Sequence, residues 1–348
     1  MPAPSRYADA LASLPRDLGR WYRGRPSTSD TYLAMRHAHR HTAGYSTAAL
    51  RTILRRVPGA ADQLRTADQP RLSTTDDQAV TTLGRDGITT LEPLLDPRDV
   101  DALREFATRG PAAGSDQEGT PVRGTYEQLS DRARMLFLDG TFTWGRPEVQ
   151  RLLASKRLWD LARAYFGMVP VVHPPQLYWS CAAPERNAES APPISSRNFH
   201  WDYDGVGGLR LHLYLTDVDE AAAPMEYVTG SHRPGALRSR ELRHADQGRA
   251  PESALDTLGL VERRSITGPA GTTFLSDSTG LHRATTPTGR DRLFLVLPVQ
   301  AGIFSGYYSR RRLVPVRDER FARALEVGRP ELRLFGAAPD HQVAASLA

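Results

Sequence analysis

The first 70 residues carry a helical pattern of hydrophobic positions and are rich in arginine. In the segment TAALRTILRRV, four apolar side chains fall on one face of a helix: Leu50, Ile53, Leu54 and Val57. Residues 66–77 are polar, with Pro70 and a Ser-Thr-Thr-Asp-Asp run, and this composition is typical of a linker. We therefore expect a helical N-terminal extension, residues 1–75, ahead of the main domain.

A short strand and a second helix are predicted next. Residues 88–90 suggest the strand, Asp96 is a good N-cap, and Pro97 is a good first helical residue. The apolar stripe of this helix consists of Val100, Leu103, Phe106 and Ala107. Further helix is expected over residues 129–166, with breaks near Gly140 and Pro147.

From residue 169 the pattern changes to short apolar or alternating runs between turn residues. Five runs predict strands: VPVVHPPQLYWSCA, LRLHLYLTDV, MEYVTGS, GTTFLSD and RLFLVLPVQ. A last helix is expected at DERFARALEVG. A helical first half and a strand-rich second half predict an α+β fold, in which a β-sandwich or jelly roll is backed by helices. We expect this domain to span residues 76–310 and a C-terminal helix and tail, residues 311–348, to pack on it.

Composition indicates the class of protein and its cellular location. The chain of 348 residues is 40% hydrophobic and 24% charged, as in ordinary globular proteins. It contains no apolar run of roughly 18 residues, no apolar signal-peptide core, and a single cysteine, Cys181, so no internal disulfide can form. We expect a cytoplasmic protein without a membrane partner. The formal charge of +5 is modest and favours a solvated basic surface.

Three residues beside the predicted strands can bind a metal. His200 and Asp202 are two positions apart, so on a strand their side chains share one face, and His282 follows a later strand. Two imidazoles and one carboxylate hold non-haem Fe(II) and leave three positions open for a co-substrate and O₂. Taken singly, each of the two histidines is better explained as a hydrogen-bonded loop residue. The pair His244 and Asp246 repeats the spacing in a charged stretch without a strand pattern.

An arginine stands at the start of the last predicted strand. Arg292 begins RLFLVLPV and can hold a carboxylate through two parallel hydrogen bonds. Arg290, two positions earlier, shares the same face if the strand extends that far. The alternative is that both are surface arginines that flank a strand.

Ordered blocks between residues 83 and 299 resemble the phytanoyl-CoA dioxygenase family of Fe(II)/2-oxoglutarate-dependent oxygenases. The blocks are LGRDGITTLEPLLDPRDVDALREF, HWDYDGVGGLRLHLYLTDVDEAAAPMEYVTGSHRPG and GTTFLSDSTGLHRATTPTGRDRLFLVL. The resemblance implies a double-stranded β-helix, or cupin-like jelly roll, with flanking helices. It also implies that His200, Asp202 and His282 are the iron ligands, and that Arg292 binds the far carboxylate of 2-oxoglutarate.

The resemblance also implies roles for further residues. His212 falls where the family often places an aromatic residue of the co-substrate pocket, and Tyr178 and Ser180 share a strand face that would line the same cavity. His232, in the Gly-Ser-His turn, is expected to be structural. The polar insertion between Cys181 and residue 198 is well placed to cover the metal.

The implied reaction is oxidation, by default hydroxylation, of an unactivated C–H bond in a small-molecule substrate, with release of succinate and CO₂. Asp202 disfavours halogenation, because related halogenases carry a small residue there. Desaturation, epoxidation and oxidative cyclisation stay open, as does a jelly-roll binding protein without activity. Residues 309–312 are basic and fit either a solvated turn or a CoA or carrier-protein contact. Basic N-terminal helices raise nucleic acid as a third hypothesis, but no recognition motif supports it.

Overall fold

The computed structural model describes residues 12, 15–17, 19–20, 29–56, 70–116, 118–183, 195–245, 250, 252–257, 259–260, 262–301 and 311–339. Its helices are α1 (Ser29–His41), α2 (Tyr45–Leu54), α3 (Thr74–Asp86), α4 (Pro97–Arg109), α5 (Tyr126–Leu129), α6 (Gly140–Trp144), α7 (Pro147–Leu153), α8 (Lys156–Phe166), α9 (Arg240–Arg243), α10 (Glu252–Thr257) and α11 (Glu319–Glu326). Its strands are β1 (Ile88–Leu91), β2 (Ala112–Ser115), β3 (Pro121–Gly124), β4 (Met135–Leu138), β5 (Pro170–Val172), β6 (Gln176–Ser180), β7 (Gly208–Tyr214), β8 (Met225–Val228), β9 (Arg263–Ile266), β10 (Thr273–Asp277), β11 (His282–Ala284), β12 (Arg292–Ala301), β13 (Arg312–Val314) and β14 (Phe335–Ala337). Of the helices just named, none combines the length and apolar character that a bilayer crossing requires.

Two antiparallel sheets face each other. The larger has the strand order β1-β10-β7-β12-β6-β4-β2-β3, with β5 also paired to β12, and the smaller has the order β11-β8-β9. Tyr214 and Phe294 from the large sheet share one buried cluster with Met225 and Tyr227 from the small sheet. The predicted α+β fold with a double-stranded β-helix core is confirmed.

Strand β7 shows how the alternation of side chains builds the two sides of the large sheet. Leu209, Leu211 and Leu213 belong to the core that the sheet shares with the helices. His212 and Tyr214 lie on the opposite face, where both rings contact Phe274. Because each fully buried leucine contributes about 1.5–3 kcal/mol, a shift of register by one residue would be strongly destabilising. The polar positions of the inner face are therefore fixed in space.

The prediction for α4 is confirmed at its start and along its buried stripe. The carboxylate of Asp96 accepts a hydrogen bond of 3.0 Å from the backbone N–H of Asp99, and Pro97 is the first helical residue. Val100, Leu103 and Ala107 are buried, as the apolar spacing indicates.

The predicted apolar face of α2 is wrong at one position. Leu54 is buried, but Ile53 is 57% exposed, and Val57 lies outside the described residues. The face toward the domain is centred instead on Thr47, Leu54 and Arg51, whose Nε donates to the Val206 carbonyl at 2.7 Å. At 100° per residue, Ile53 falls outside that face and meets solvent.

The linker predicted for residues 66–77 is wrong over its second half, because these residues begin α3. Ser73 caps the helix by accepting a hydrogen bond of 3.1 Å from the N–H of Asp76, and Ala79 and Leu83 are buried. The Ser-Thr-Thr-Asp-Asp run is a helix start, in which short polar residues cap and acidic residues suit the first turn. Residues 66–69 lie outside the described segments.

The helix predicted for residues 129–166 is interrupted by strand β4. Met135–Leu138 pairs with β6 and with β2, and β2 and β3 form a hairpin that the pattern did not predict. A four-residue apolar run such as MLFL has no period of its own, so strand and buried helix look alike in the sequence. The later breaks near Gly140 and Pro147 are confirmed by α6, α7 and α8.

Candidate active site

His200, Asp202 and His282 lie together, with one possible ligand atom from each within 4.8 Å of the others. The Nε2 atoms of His200 and His282 are 3.9 and 3.5 Å from Oδ2 of Asp202. Backbone pairing sets this arrangement. His200 and His282 exchange two N–H···O hydrogen bonds of 3.0 and 2.8 Å, and the N–H of Asp202 donates to the Ser278 carbonyl at 2.8 Å. His200 thus stands in an isolated β-bridge and Asp202 in the loop after it, rather than together on a regular strand, and His282 begins β11.

Backbone carbonyls orient both imidazoles through Nδ1. Nδ1 of His200 lies 2.9 Å from the Asn198 carbonyl, and Nδ1 of His282 lies 2.9 Å from the Gly280 carbonyl. Because a carbonyl only accepts, Nδ1 carries a proton, and in the neutral form of each ring the lone pair is on Nε2. Burial, together with the nearby His282, lowers the pKa of His200 to about 4. His200 is therefore neutral at neutral pH.

Asp202 is charged because of its neighbours. Burial raises its pKa, but Arg210 and the two histidines outweigh burial, and the net pKa lies well below the usual range. Nη2 of Arg210 is 2.9 Å from Oδ2 of Asp202 and 3.4 Å from Oδ2 of Asp204. The neutral imidazole of His200 and the ionised carboxylate of Asp202 are in the protonation states that metal binding requires.

Arg210 and Asp204 are site residues that the sequence analysis missed. Arg210 lies two positions before His212 on β7 and so shares its inward face. The shared face of Arg210 and His212 could be predicted from the sequence. The contacts of Arg210 with the two carboxylates could not, because they depend on the conformation of the loop that carries Asp202 and Asp204.

Arg292 and Arg290 lie in opposite environments. Arg292 has no exposed surface, and its Nη1 donates to the Ala223 carbonyl. Its guanidinium carbon lies 4.5 Å from the centre of the Phe294 ring. Within the described chain no carboxylate forms a salt bridge with Arg292, and its buried Nε has no hydrogen-bond partner. Arg290 is largely exposed and pairs with Asp219 at 2.9 Å.

His212 lies between two phenylalanine rings on the inner face of the large sheet. Its ring is stacked 4.6 Å from Phe274 and 5.3 Å from Phe294, and Nε2 is 2.8 Å from the Ser276 hydroxyl. Burial holds the pKa of His212 well below its usual value, and Arg210 and His282 lower it further. His212 is therefore a neutral imidazole whose ring lines the interior.

Tyr178 lies on the same inner face. Its ring contacts Phe294 edge-on at 5.6 Å and Phe137 at 5.1 Å. Burial raises the pKa of Tyr178, while Arg292 and Arg197 oppose that rise. Ser180, opposite Arg292 on the neighbouring strand, accepts a hydrogen bond of 2.9 Å from Arg197.

The N-terminal helices contact the loop that carries Asp202. The Tyr32 hydroxyl donates to the Tyr203 carbonyl at 2.9 Å. The His39 ring packs 5.0 Å from Trp201 and 5.2 Å from Tyr203. Together with the bond from Arg51 to Val206, these contacts tie residues 201–206 to α1 and α2. The sequence patterns gave no sign of them, because all are long-range.

The other candidate residues lie elsewhere. Nε2 of His232 donates to the Gly84 carbonyl at 3.2 Å, a structural contact. His244 ends α9, while Asp246 falls outside the described residues. Residues 184–194 of the predicted cover, and residues 309 and 310 of the basic run, also fall outside them.

A sequence model of the phytanoyl-CoA dioxygenase family matches residues 83–292. The chain belongs to this family. It is therefore a non-haem Fe(II)/2-oxoglutarate-dependent oxygenase that uses Fe(II), 2-oxoglutarate and O₂ and acts on a small molecule, and the enzyme hypothesis is confirmed.

Relatives in the family include ectoine dioxygenase of Bordetella parapertussis, which is 27% identical over 239 residues, 61% of this chain and 71% of that protein. Among solved structures, EctD from S. alaskensis with 2-oxoglutarate and 5-hydroxyectoine is 21% identical, with 72% of this chain and 87% of that chain covered and a TM-score of 0.44. The carbocyclase SnoK from nogalamycin biosynthesis is 17% identical, with 66% and 87% covered and a TM-score of 0.46.

Proposed function

We propose that this oxygenase hydroxylates an unactivated C–H bond of a small-molecule substrate at an iron held by His200, Asp202 and His282. One observation carries the assignment of the ligands. Nε2 of His200, Nε2 of His282 and a carboxylate oxygen of Asp202 face one another, while each Nδ1 is already bonded to a backbone carbonyl. Three converging ligand atoms, with Nε2–Oδ2 distances of 3.9 and 3.5 Å, suit a cation at their centre.

Bound Fe(II) supplies the activation of O₂ that an amino-acid side chain cannot provide. The chain supplies the ligand geometry. The backbone carbonyls of Asn198 and Gly280 fix each ring through its Nδ1–H, as the second partner of a metal-binding histidine usually does. Arg210 keeps the carboxylate of Asp202 ionised and oriented.

Arg292 is proposed as the anchor of 2-oxoglutarate. A buried guanidinium without a carboxylate partner is costly, so an anion that enters the interior would be strongly favoured. The far carboxylate of 2-oxoglutarate meets that need, and Nε of Arg292 still has a donor to offer. Arg290 is not proposed for this role, because Asp219 already pairs with it at the surface.

His212 and Tyr178 are proposed to line the co-substrate pocket. His212 with Phe274 and Phe294 forms a stacked wall next to Arg292, and Tyr178 closes the wall from the neighbouring strand. Such a wall excludes water from the reacting groups and orients the substrate by shape.

Hydroxylation is the reaction outcome that we favour. Asp202 occupies the position whose loss marks the related halogenases, and ectoine dioxygenase is among the curated relatives. Desaturation, epoxidation and oxidative cyclisation are the alternatives. A cytoplasmic location, the absence of nucleic-acid and membrane partners, and a CoA or carrier-protein contact stay predictions.

The test is spectroscopic. The anaerobic protein with Fe(II) and 2-oxoglutarate should show a weak visible charge-transfer band, and His200→Ala should abolish it because one Nε2 ligand is lost. His244→Ala is the matched control, since it removes the histidine of the other His-x-Asp sequence. An intact band in His200→Ala would reject His200 as a ligand. Release of succinate from 2-oxoglutarate in air then tests activity without knowledge of the substrate.

A further inference from the structure

A cleft of about 320 Å³ lies between α2 and the catalytic domain. Helix α2 forms one side, and Arg233, Tyr165 and Asp277 belong to the other. None of the proposed iron ligands lines it, and neither does Arg292. The cleft is therefore separate from the proposed iron and 2-oxoglutarate sites.

Three guanidinium groups line this cleft. Arg51 lies on α2, Arg55 is four residues later at the C-cap of that helix, and Arg233 comes from the turn after β8. Like charges at this spacing destabilise a helix. Burial lowers the pKa of Arg55, and the charge of Arg51 lowers it further, which shows that the two cations repel each other.

Backbone carbonyls, rather than carboxylates, orient the three arginines. The bonds run from Arg51 Nε to Val206 at 2.7 Å, from Arg55 Nε to Phe166 at 2.5 Å and from Arg233 Nη2 to Arg85 at 2.5 Å. In the part of the chain that the structure describes, no salt bridge neutralises any of them. Each guanidinium has five N–H donors, so donors are left over for a ligand.

Asp277 is the one acidic residue that lines the cleft, and its carboxylate already has donors. It accepts a hydrogen bond of 2.6 Å from the Tyr165 hydroxyl and one of 2.9 Å from the N–H of Thr279. His39 and His232 are neutral at neutral pH, because burial lowers the pKa of both, to about 4 for His39. The cleft therefore carries an excess of two positive charges.

We propose that the cleft binds a phosphate-type dianion between Arg51, Arg55 and Arg233. Two negative charges balance the excess, and the tetrahedral oxygens of phosphate can accept from arginines on both sides at once. The volume of about 320 Å³ admits a phosphate with a small organic substituent. This site is independent of the proposed iron ligands.

Calorimetric titration of inorganic phosphate into the full-length protein tests the proposal. Iron is added only in separate samples, because phosphate precipitates Fe(II). Saturable binding to one site is expected. Arg55→Gln and Arg233→Gln should each weaken it about tenfold, since each removes a charge-assisted hydrogen bond. Arg56→Gln removes the same charge from the next residue, which does not line the cleft, and should bind phosphate like the unaltered protein.

Absence of saturable phosphate binding would overturn the proposal, as would equal affinities of Arg55→Gln, Arg233→Gln and Arg56→Gln. Succinate binding as tightly as phosphate would overturn the phosphate class. Each variant is also mixed anaerobically with Fe(II) and 2-oxoglutarate, and an intact charge-transfer band shows that the fold is kept. Arg233 is exposed, so its variant keeps the test decisive even if loss of Arg55 loosens α2.

Discussion

Arg290 and Arg292, two positions apart, differ in burial and in charged partners. Arg292 is buried against Phe294 without a carboxylate partner, whereas Arg290 pairs with Asp219 at the surface. If burial and the missing counter-charge mark the 2-oxoglutarate anchor, only one of the two arginines should matter for co-substrate binding.

We predict that Arg292→Gln raises the dissociation constant for 2-oxoglutarate by about ten- to a hundredfold, because a bidentate, charge-assisted contact is lost. Titration of the charge-transfer band with 2-oxoglutarate measures this directly. Arg290→Gln is the matched control and should bind within about twofold of the unaltered enzyme, as expected for an exposed ion pair. A larger effect of Arg290→Gln than of Arg292→Gln would reverse the assignment.

The sequence was informative about single residues where chemistry and strand parity agree. His200, Asp202 and His282 were named from residue type and spacing, and the structure brings them together, while their role as ligands stays a proposal. Arg210 was missed because a cation next to a proposed metal site has no spacing rule. It became visible only when Asp202 and Asp204 were found on either side of its guanidinium.

Helices α1 and α2 act on the candidate site as one element. Tyr32, His39 and Arg51 all contact residues 201–206, directly after His200. The family match begins at residue 83, so these contacts come from outside the matched region. The helices therefore constrain the loop on which Asp202 stands.

We predict that Tyr32→Phe weakens Fe(II) binding about fivefold, because loss of the hydrogen bond to the Tyr203 carbonyl removes roughly 1 kcal/mol of restraint. The charge-transfer band at increasing Fe(II) gives the affinity. Tyr45→Phe, at the exposed start of α2, is the control and should leave it unchanged. Equal affinities of both variants would show that the helices do not position the loop.

At the scale of elements, prediction succeeded where a pattern is long and failed where it is short. Strands β5, β6, β7, β8, β10 and β12 lie in apolar runs between clear turns, and α4 has both a cap and a stripe. Strands β9 and β11 have no apolar run and were not predicted. The start of α3 resembles a linker in the sequence because its capping residues are also typical of loops. Strand β4 resembles a buried helix in the sequence because its four apolar residues form a strand only by pairing with β2 and β6.

Two buried histidines connect the stability of the whole molecule to pH. Burial lowers the pKa of His39 to about 4 and that of His173 to about 3. In the unfolded chain both titrate near 6.5, so between these values the unfolded state binds more protons. The stabilising effect of neutral histidine is thus complete above about pH 6.5 and is lost as the pH falls.

We predict that the free energy of unfolding falls by about 2 kcal/mol per buried histidine between about pH 7.5 and about pH 5. Denaturant unfolding of the metal-free protein across this range measures the slope. His39→Gln should flatten it, because glutamine takes up no proton. A slope unchanged in His39→Gln would show that His39 is accessible to protons in the folded state.

The division into residues 1–75, 76–310 and 311–348 stays a proposal at this scale. Contacts of α2 with Val206 and Phe166 join the first part to the second. Composition cannot reveal such contacts, since the residues that form them are more than 100 positions apart in the sequence.

The reciprocal backbone bonds between His200 and His282 have a practical consequence. The spacing of the two rings is inherited from peptide geometry and needs no metal to create it. Iron should therefore bind quickly to a preformed site, without refolding of the chain. Removal of iron by a chelator should leave the protein folded. Recovery of full activity after repeated stripping and reloading is the behaviour to expect of such an enzyme.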